Sequence, residues 1–368
     1  MSDARKAVEL GPEDRTHVPA NTSEKGMPAH PGWTGPTYYG RAQLKASPFN
    51  EWVVGGYIFL AGLSGGAMVL STLADIVRPG PSRKMVRNGR YLSLLAPVLG
   101  SPLLIYDLHT PQRFYNMLRI AKHTSPMSIG TWILMGFTGS AGVSAGGEFL
   151  SALLPWMPRL ASRMQRVARI GQIPAAVTGA GLATYTATLL SATSTPFWAA
   201  APRMLAVRFG ASSVAAGASA LALLEPDRDM RRRLEAIAAI GLATEFGAAL
   251  AADRTYEKAG VADARKSSYG RVEKICVTGL GIVLPLGLQL AGLFTDRRTT
   301  RQLGAIAAIG TLAGSAMLRV SIIGIGDVSA RRPEISFRFS QPENLPDKKE
   351  GRSIREKMRA LMAAKNKR

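Results

Sequence analysis

The chain has 368 residues, 46% of them apolar and only 19% charged, with 38 glycines and a mean hydropathy of +0.07. Its formal net charge is +21, but the Lys and Arg flank long apolar runs as membrane topology demands, which sets aside a nucleic-acid partner. The single cysteine, Cys276, excludes an intrachain disulfide and any Cys-ligated cluster housed in this chain.

Residues 1–47 are polar and rich in Pro, Gly and Thr, with no apolar core of a signal peptide; they read as a flexible arm carrying His17, His30 and Trp33. Eight apolar segments follow, at about 51–77, 91–107, 127–154, 170–193, 197–224, 234–252, 275–295 and 303–325. Most approach the ~20 residues that cross a bilayer core, and several are rich in the Gly and Ala of tightly packed membrane helices. The expected fold is an all-α integral membrane protein of eight transmembrane helices. The short link "SATSTP" marks a seam between two four-helix bundles, 48–193 and 194–326. Residues 327–368 form a basic polar tail whose end, "DKKEGRSIREKMRALMAAKNKR", reads as a short amphipathic helix suited to an anionic surface or a partner, or as a solvated tail.

The loops after spans one, three, five and seven are short and hold 16 Lys and Arg, against about 14 near the spans on the opposite side. This balance favours termini outside the membrane. The expected location is the inner (cytoplasmic) membrane of a bacterial or archaeal cell.

Polar groups inside lipid are expensive and mark candidate sites. Tyr57, Asp107 and Tyr185 fall toward the outer ends of spans one, two and four. They lie near the connector "IYDLHTPQRFYNMLRIAKHTSPMS", residues 105–128, which holds His109, His123, Arg113, Arg119 and Lys122. Asp75, Glu148 and Gln172 make a candidate proton path in the same half, each with an equally good reading as a structural interface residue. In the second half, Arg203, Glu245 and Arg319 all sit about 10 Å deep, at ~1.5 Å per residue. They form an expected buried Arg–Glu–Arg cluster, serving either charge pairing or a proton or ion path; Arg208 and Gln289 are the other polar groups there.

Haem needs axial ligands within spans, and no histidine lies mid-span. The chain is therefore expected to hold neither haem nor an iron–sulfur cluster. A redox role then calls for an organic carrier dissolved in the membrane, a quinone. Its reduction takes two electrons and two protons, which requires hydrogen-bond donors at the carbonyl oxygens and a titratable group to resupply protons.

The stretch "DLHTPQRFYNMLR", followed by "TSPMSIGTWIL", resembles the signature of the NrfD/polysulfide reductase membrane-subunit family. "YTATLLSATSTPFW" is similar to that family's fourth-span ending, and "FLAGLSGGAM" to its glycine-rich first span. The resemblance covers roughly 50–325. It implies a haem-free, quinone-reactive (menaquinone or ubiquinone) membrane subunit that is not an autonomous enzyme. Its implied partner is a ferredoxin-like four-cluster iron–sulfur subunit, often joined to a molybdopterin enzyme. The implied pocket lies in the first bundle, with Tyr185, Asp107 and Arg113 matching its polar positions. Where some members carry a histidine in span one, this chain has Tyr57, whose unperturbed pKa of about 10 makes it a poor proton reservoir. His109 is a candidate for that task or a plain interfacial residue. The competing readings are a secondary transporter and a passive membrane anchor.

Overall fold

The computed structural model describes residues 49–341, except 79, 81 and 109, together with Leu44 and Ser47. These residues form helices and no strand. Helix α1 spans Glu51–Val77 and starts where the Asn50 side chain accepts from the amides of Trp52 and Val53. This satisfies two donors that a helix start leaves open. Helix α2 is Arg83–Leu92, followed by a π-helical turn at Ala96–Gly100 and the short α3 at Ser101–Tyr106. Pro97 and Pro102 each remove a backbone amide from this stretch, so the second apolar segment is interrupted rather than one regular helix.

After a 3-10 turn at Pro111–Arg113 and α4 at Tyr115–Arg119, α5 runs over Pro126–Leu153 and α6 over Pro158–Ser191. The remaining helices are α7 Pro196–Ala200, α8 Pro202–Leu224, α9 Arg228–Lys258, α10 Ser268–Val272, α11 Leu284–Ala291, α12 Arg297–Arg331 and α13 Pro333–Ser340. Proline opens α5, α6, α7, α8 and α13, where its missing amide costs nothing and its fixed φ suits the first turn. A π-helical stretch, Glu273–Val283, joins α10 to α11.

Six helices among the described residues are long and apolar enough to cross a membrane: Glu51–Val77, Pro158–Ser191, Pro202–Leu224, Arg228–Lys258, Ser268–Phe294 and Arg298–Arg331. They correspond to six of the eight expected spans. The second is the interrupted stretch around Pro97. The third, α5, has 28 residues, but Gly and Ser dilute its apolarity. Several loops expected from charge are helical instead. "RLASRMQRVAR" belongs to α6, "DRDMRRR" largely to α9, and α12 continues to Arg331. Residues 327–340, assigned from composition to the polar tail, are helical and packed, with Asp327, Ile335 and Phe339 buried. The amphipathic end of that tail, residues 347–368, and the arm before Leu44 lie outside the described residues.

Helix α1 is the hub. A Cβ at Gly65 would strike the Gly179 carbonyl of α6, one at Gly66 the Ser213 carbonyl of α8, and one at Gly55 the Val320 side chain of α12. The glycine-rich "GLSGG" run thus lets α1 touch helices on both sides of the SATSTP seam at backbone distance, as small residues do in membrane helix packing. On the far side of the seam, the Phe197 and Tyr256 rings stack at 4.2 Å and Trp198 Nε1 donates to the Ile322 carbonyl at 2.7 Å.

Candidate functional site

Near the start of α1, the start of α5 and the end of α6 lies a cavity of about 280 Å³. Its wall is mostly apolar, including Ala61, Leu104, Met117, Leu134 and Leu189. Three of the expected polar residues converge on it: Tyr57 from α1, Asp107 from the end of α3, and Tyr185 from α6. Tyr57 lies within electrostatic reach of both Asp107 and Tyr185. Asp107 Oδ1 accepts from the Asn50 amide at 3.4 Å. The Tyr185 hydroxyl donates to the Pro126 carbonyl. A Cβ on Gly130 would occupy the space of the Tyr185 ring, so glycine at that position is a condition of the tyrosine's pose. An apolar slot with a few convergent polar groups is the usual form of a small-molecule site.

The connector contributes part of the cavity wall. Ser125 caps α5, and the Ser128 hydroxyl accepts from the Lys122 amide at 2.9 Å while donating to the Ile120 carbonyl at 3.0 Å. Met117 of α4 reaches the cavity wall. Arg113 does not: it is exposed in the 3-10 turn. Arg119 and Lys122 are exposed as well. His109 lies outside the described residues. Gly130, Thr131 and Met127 also line the cavity; they are not titratable, and nothing in the sequence marks them beyond their place inside the "TSPMSIGTW" motif.

Asp75, Glu148 and Gln172 also come together, around a residue that the sequence does not single out. Arg90 of α2 is buried. It donates to Glu148 Oε2 at 2.5 Å and to Gln172 Oε1 at 2.8 Å through Nε and 2.5 Å through Nη2, and it lies 3.9 Å from Asp75. Asp75 in turn accepts two bonds from Arg169, at 2.9 and 3.0 Å. One guanidinium therefore ties α1, α2, α5 and α6 at the membrane end opposite the Tyr185 cavity. By sequence Arg90 reads as a loop cation, because it directly precedes an apolar run.

The buried cluster of the second half has a different membership from the one expected. Arg203 is exposed at the start of α8. Arg208, five residues on, takes its place, 1% exposed and bonded to Glu273 Oε1 at 2.8 Å. Glu273 also accepts from Arg265 at 2.9 Å, and Arg265 bonds Asp253. Glu245 is buried beside Ser212, within electrostatic reach of Arg208 and Arg319. Arg319 donates to Ser212 Oγ at 2.7 Å, Ser315 Oγ at 2.6 Å and Ser213 Oγ at 3.0 Å, and its guanidinium lies 5.1 Å from the Phe209 ring centroid. Three arginines and three carboxylates balance one another; Arg208, Arg319, Glu245 and Glu273 are buried, while Arg265 and Asp253 are partly exposed. No group of three or more metal-ligating residues occurs among the described residues.

The C subunit of polysulfide reductase from Wolinella succinogenes is 28% identical over 177 residues, which cover 46% of this chain and 56% of that protein, little more than half its length. Residues 45–329, nearly all of the described helices, match the family described as "Polysulphide reductase, NrfD". The connector, the glycine-rich α1 and the Tyr185 cavity all fall inside that match, and the chain belongs to the NrfD polysulphide reductase family.

Proposed function

We propose that the chain is the quinone-reactive membrane subunit of a respiratory oxidoreductase complex, exchanging electrons between the quinone pool and a docked iron–sulfur subunit. The observation that carries this reading is the convergence of Tyr57, Asp107 and Tyr185 on one apolar cavity at the end of the spans. Family membership and the similarity to a polysulfide reductase subunit support it.

The residues fit such a carrier. A bound quinone supplies two-electron, two-proton redox chemistry that no side chain here offers. The apolar wall excludes water and accepts a flat ring. Pro126 and Gly130 fix where the Tyr185 hydroxyl stands, and its single O–H turns from the Pro126 carbonyl to a quinone carbonyl oxygen on binding. The Tyr57 hydroxyl is a second donor in the same cavity. Asp107 is the titratable group, at the mouth where α3 ends, and can hold or release a proton toward water. The exposed connector, with Arg113, Arg119 and Lys122, offers the docking face for the iron–sulfur partner.

The test is to purify the chain gently with whatever accompanies it and titrate a quinol analogue while recording iron–sulfur absorbance or EPR. Cluster reduction that is lost in Tyr185→Phe supports the assignment. Unchanged reduction in both Tyr185→Phe and Asp107→Asn overturns the site. The absence of any cluster-bearing partner and of any quinone response favours the transporter or passive-anchor readings.

A further inference from the structure

At the membrane end opposite the Tyr185 cavity, α1 stops at Val77, α5 at Leu153 and α8 at Leu224, while α9 begins at Arg228. Between these ends is a chamber of about 780 Å³ lined by Arg78, Arg83, Lys84, Arg87 and Arg233. None of these five makes an ion pair among the described residues. Of the carboxylates in the same wall, Glu148 is paired with Arg90, while Glu225, Asp227 and Asp229 keep their charge, three against the five cations. The wall is therefore cationic on balance. Helix α2 begins there at Arg83 with no side-chain cap, so its amide dipoles add to the same field.

Exposed apolar residues adjoin the chamber's lining in sequence: Val77 precedes Arg78, Leu153 follows Ala152 and Leu224 precedes Glu225. Val77 is 73% exposed, Leu153 52%, Leu224 50%, and the Trp156 ring at the same end is 67% exposed. In a membrane protein such side chains face acyl chains, and tryptophan sits at headgroup level. A cationic chamber opening onto an acyl-facing rim is complementary to a molecule with phosphate at one end and hydrocarbon at the other.

We infer that this chamber binds the headgroup of an anionic phospholipid, with its acyl chains over the rim formed by Ile76, Val77, Leu153 and Leu224. The lipid would join the ends of α1, α2, α5 and α9, and so brace the Arg90 cluster that lies directly beneath. This site is separate from the Tyr185 cavity and does not depend on what that cavity binds.

The experiment uses the full chain, in its complex, delipidated in a neutral detergent. Thermal unfolding is followed as diphosphatidylglycerol, phosphatidylcholine or inorganic phosphate is added, with native mass spectrometry counting retained lipid. The expected result is a raised unfolding midpoint and a retained lipid with diphosphatidylglycerol, and neither with the other two. Lys84→Gln/Arg87→Gln is expected to weaken retention on the order of tenfold, since each cation near a membrane surface contributes appreciably. Arg159→Gln/Arg163→Gln, on exposed residues of α6 outside the chamber, controls for general surface charge and is expected to keep retention. Should the double variant unfold before lipid is added, the single Lys84→Gln variant is read by mass spectrometry alone. An equal response to inorganic phosphate assigns the chamber to a soluble anion and overturns the lipid. Equal loss in the control pair, or full retention in the Lys84 variants, overturns the site.

Discussion

The Tyr185 ring stands where a side chain on Gly130 would have to be, and its hydroxyl donates to the Pro126 carbonyl one turn earlier in α5. The tyrosine is thus positioned by the first turn of the helix that the connector leads into. Connector and cavity are one construction: moving the start of α5 moves the hydroxyl.

Gly130→Ala is therefore expected to displace the tyrosine while leaving the helix intact. Quinol-linked turnover should fall about two- to tenfold, matching Tyr185→Phe, which removes a hydrogen bond contributing about 0.5–1.5 kcal/mol. The unfolding midpoint should change little. Steady-state turnover beside thermal unfolding checks this, and full turnover in Gly130→Ala would break the link between Gly130 and the site.

Breaking the buried pair Arg208–Glu273 should be costly. Glu273→Gln leaves the buried Arg208 without its ion-pair partner, while Arg265 keeps Asp253, and removal of one partner from a buried pair costs about 3–5 kcal/mol. Glu273→Gln combined with Arg208→Met should recover part of that loss, because the uncompensated cation is gone. Arg208 already has Nε and Nη2 without a hydrogen-bond partner among the described residues, so little can substitute for Glu273. Unfolding in detergent, by heat or denaturant, measures both variants.

The Arg90 cluster separates a structural role from a proton path. If Asp75 and Glu148 serve Arg90, Arg90→Met should destabilise the fold more than Glu148→Gln. Glu148→Gln should keep quinol-linked turnover within about twofold, since the amide oxygen still accepts from Arg90. A large loss of turnover in a fully folded Glu148→Gln protein would return Glu148 to a proton path.

Gly65→Leu should destabilise by about 1–3 kcal/mol or prevent assembly, because its Cβ meets the backbone of Gly179 and no side chain can move aside. The readout is the yield and unfolding midpoint of the purified protein.

One pH effect follows from a group outside the spans. Lys266, hydrogen-bonded to Asp263, and Arg338 beside them hold the Asp263 carboxyl below its usual range. Its contribution is present above the unfolded-state pKa and is lost as pH falls through the folded one. The pair is partly exposed, so solvent screening keeps the effect below about 1 kcal/mol. Asp263→Asn should lower the unfolding midpoint slightly at neutral pH, and the difference should vanish once the pH has fallen through the folded-state pKa and the native carboxyl is protonated too.

Much of this molecule was legible one-dimensionally. The apolar runs and the glycines of α1 are local features. The energetics of helix formation and of burial in lipid are decided within a few residues of each. The connector motif carried the family, and it placed Tyr57, Asp107 and Tyr185 at a common depth. Depth follows from counting residues along a span, and that count was sufficient to bring the three together.

Direction around the helix axis did not follow from counting. Arg203 and Arg208 are five residues apart, which is about 7.5 Å of helix rise and a turn of about 140° beyond a full revolution. One therefore faces outward, and the other meets Glu273. Arg90 could not be told from a loop cation until α2 was seen packed against α1 and α5, where Glu148 and Gln172 wait for it. The sequence by itself determined an all-helical membrane chain and marked the six helices long and apolar enough to cross a bilayer, because hydrophobic burial and backbone satisfaction are local. Only the tertiary structure decided which charges are partners, because that depends on the rotation and close approach of helices whose contacts are set by glycines far away in the chain.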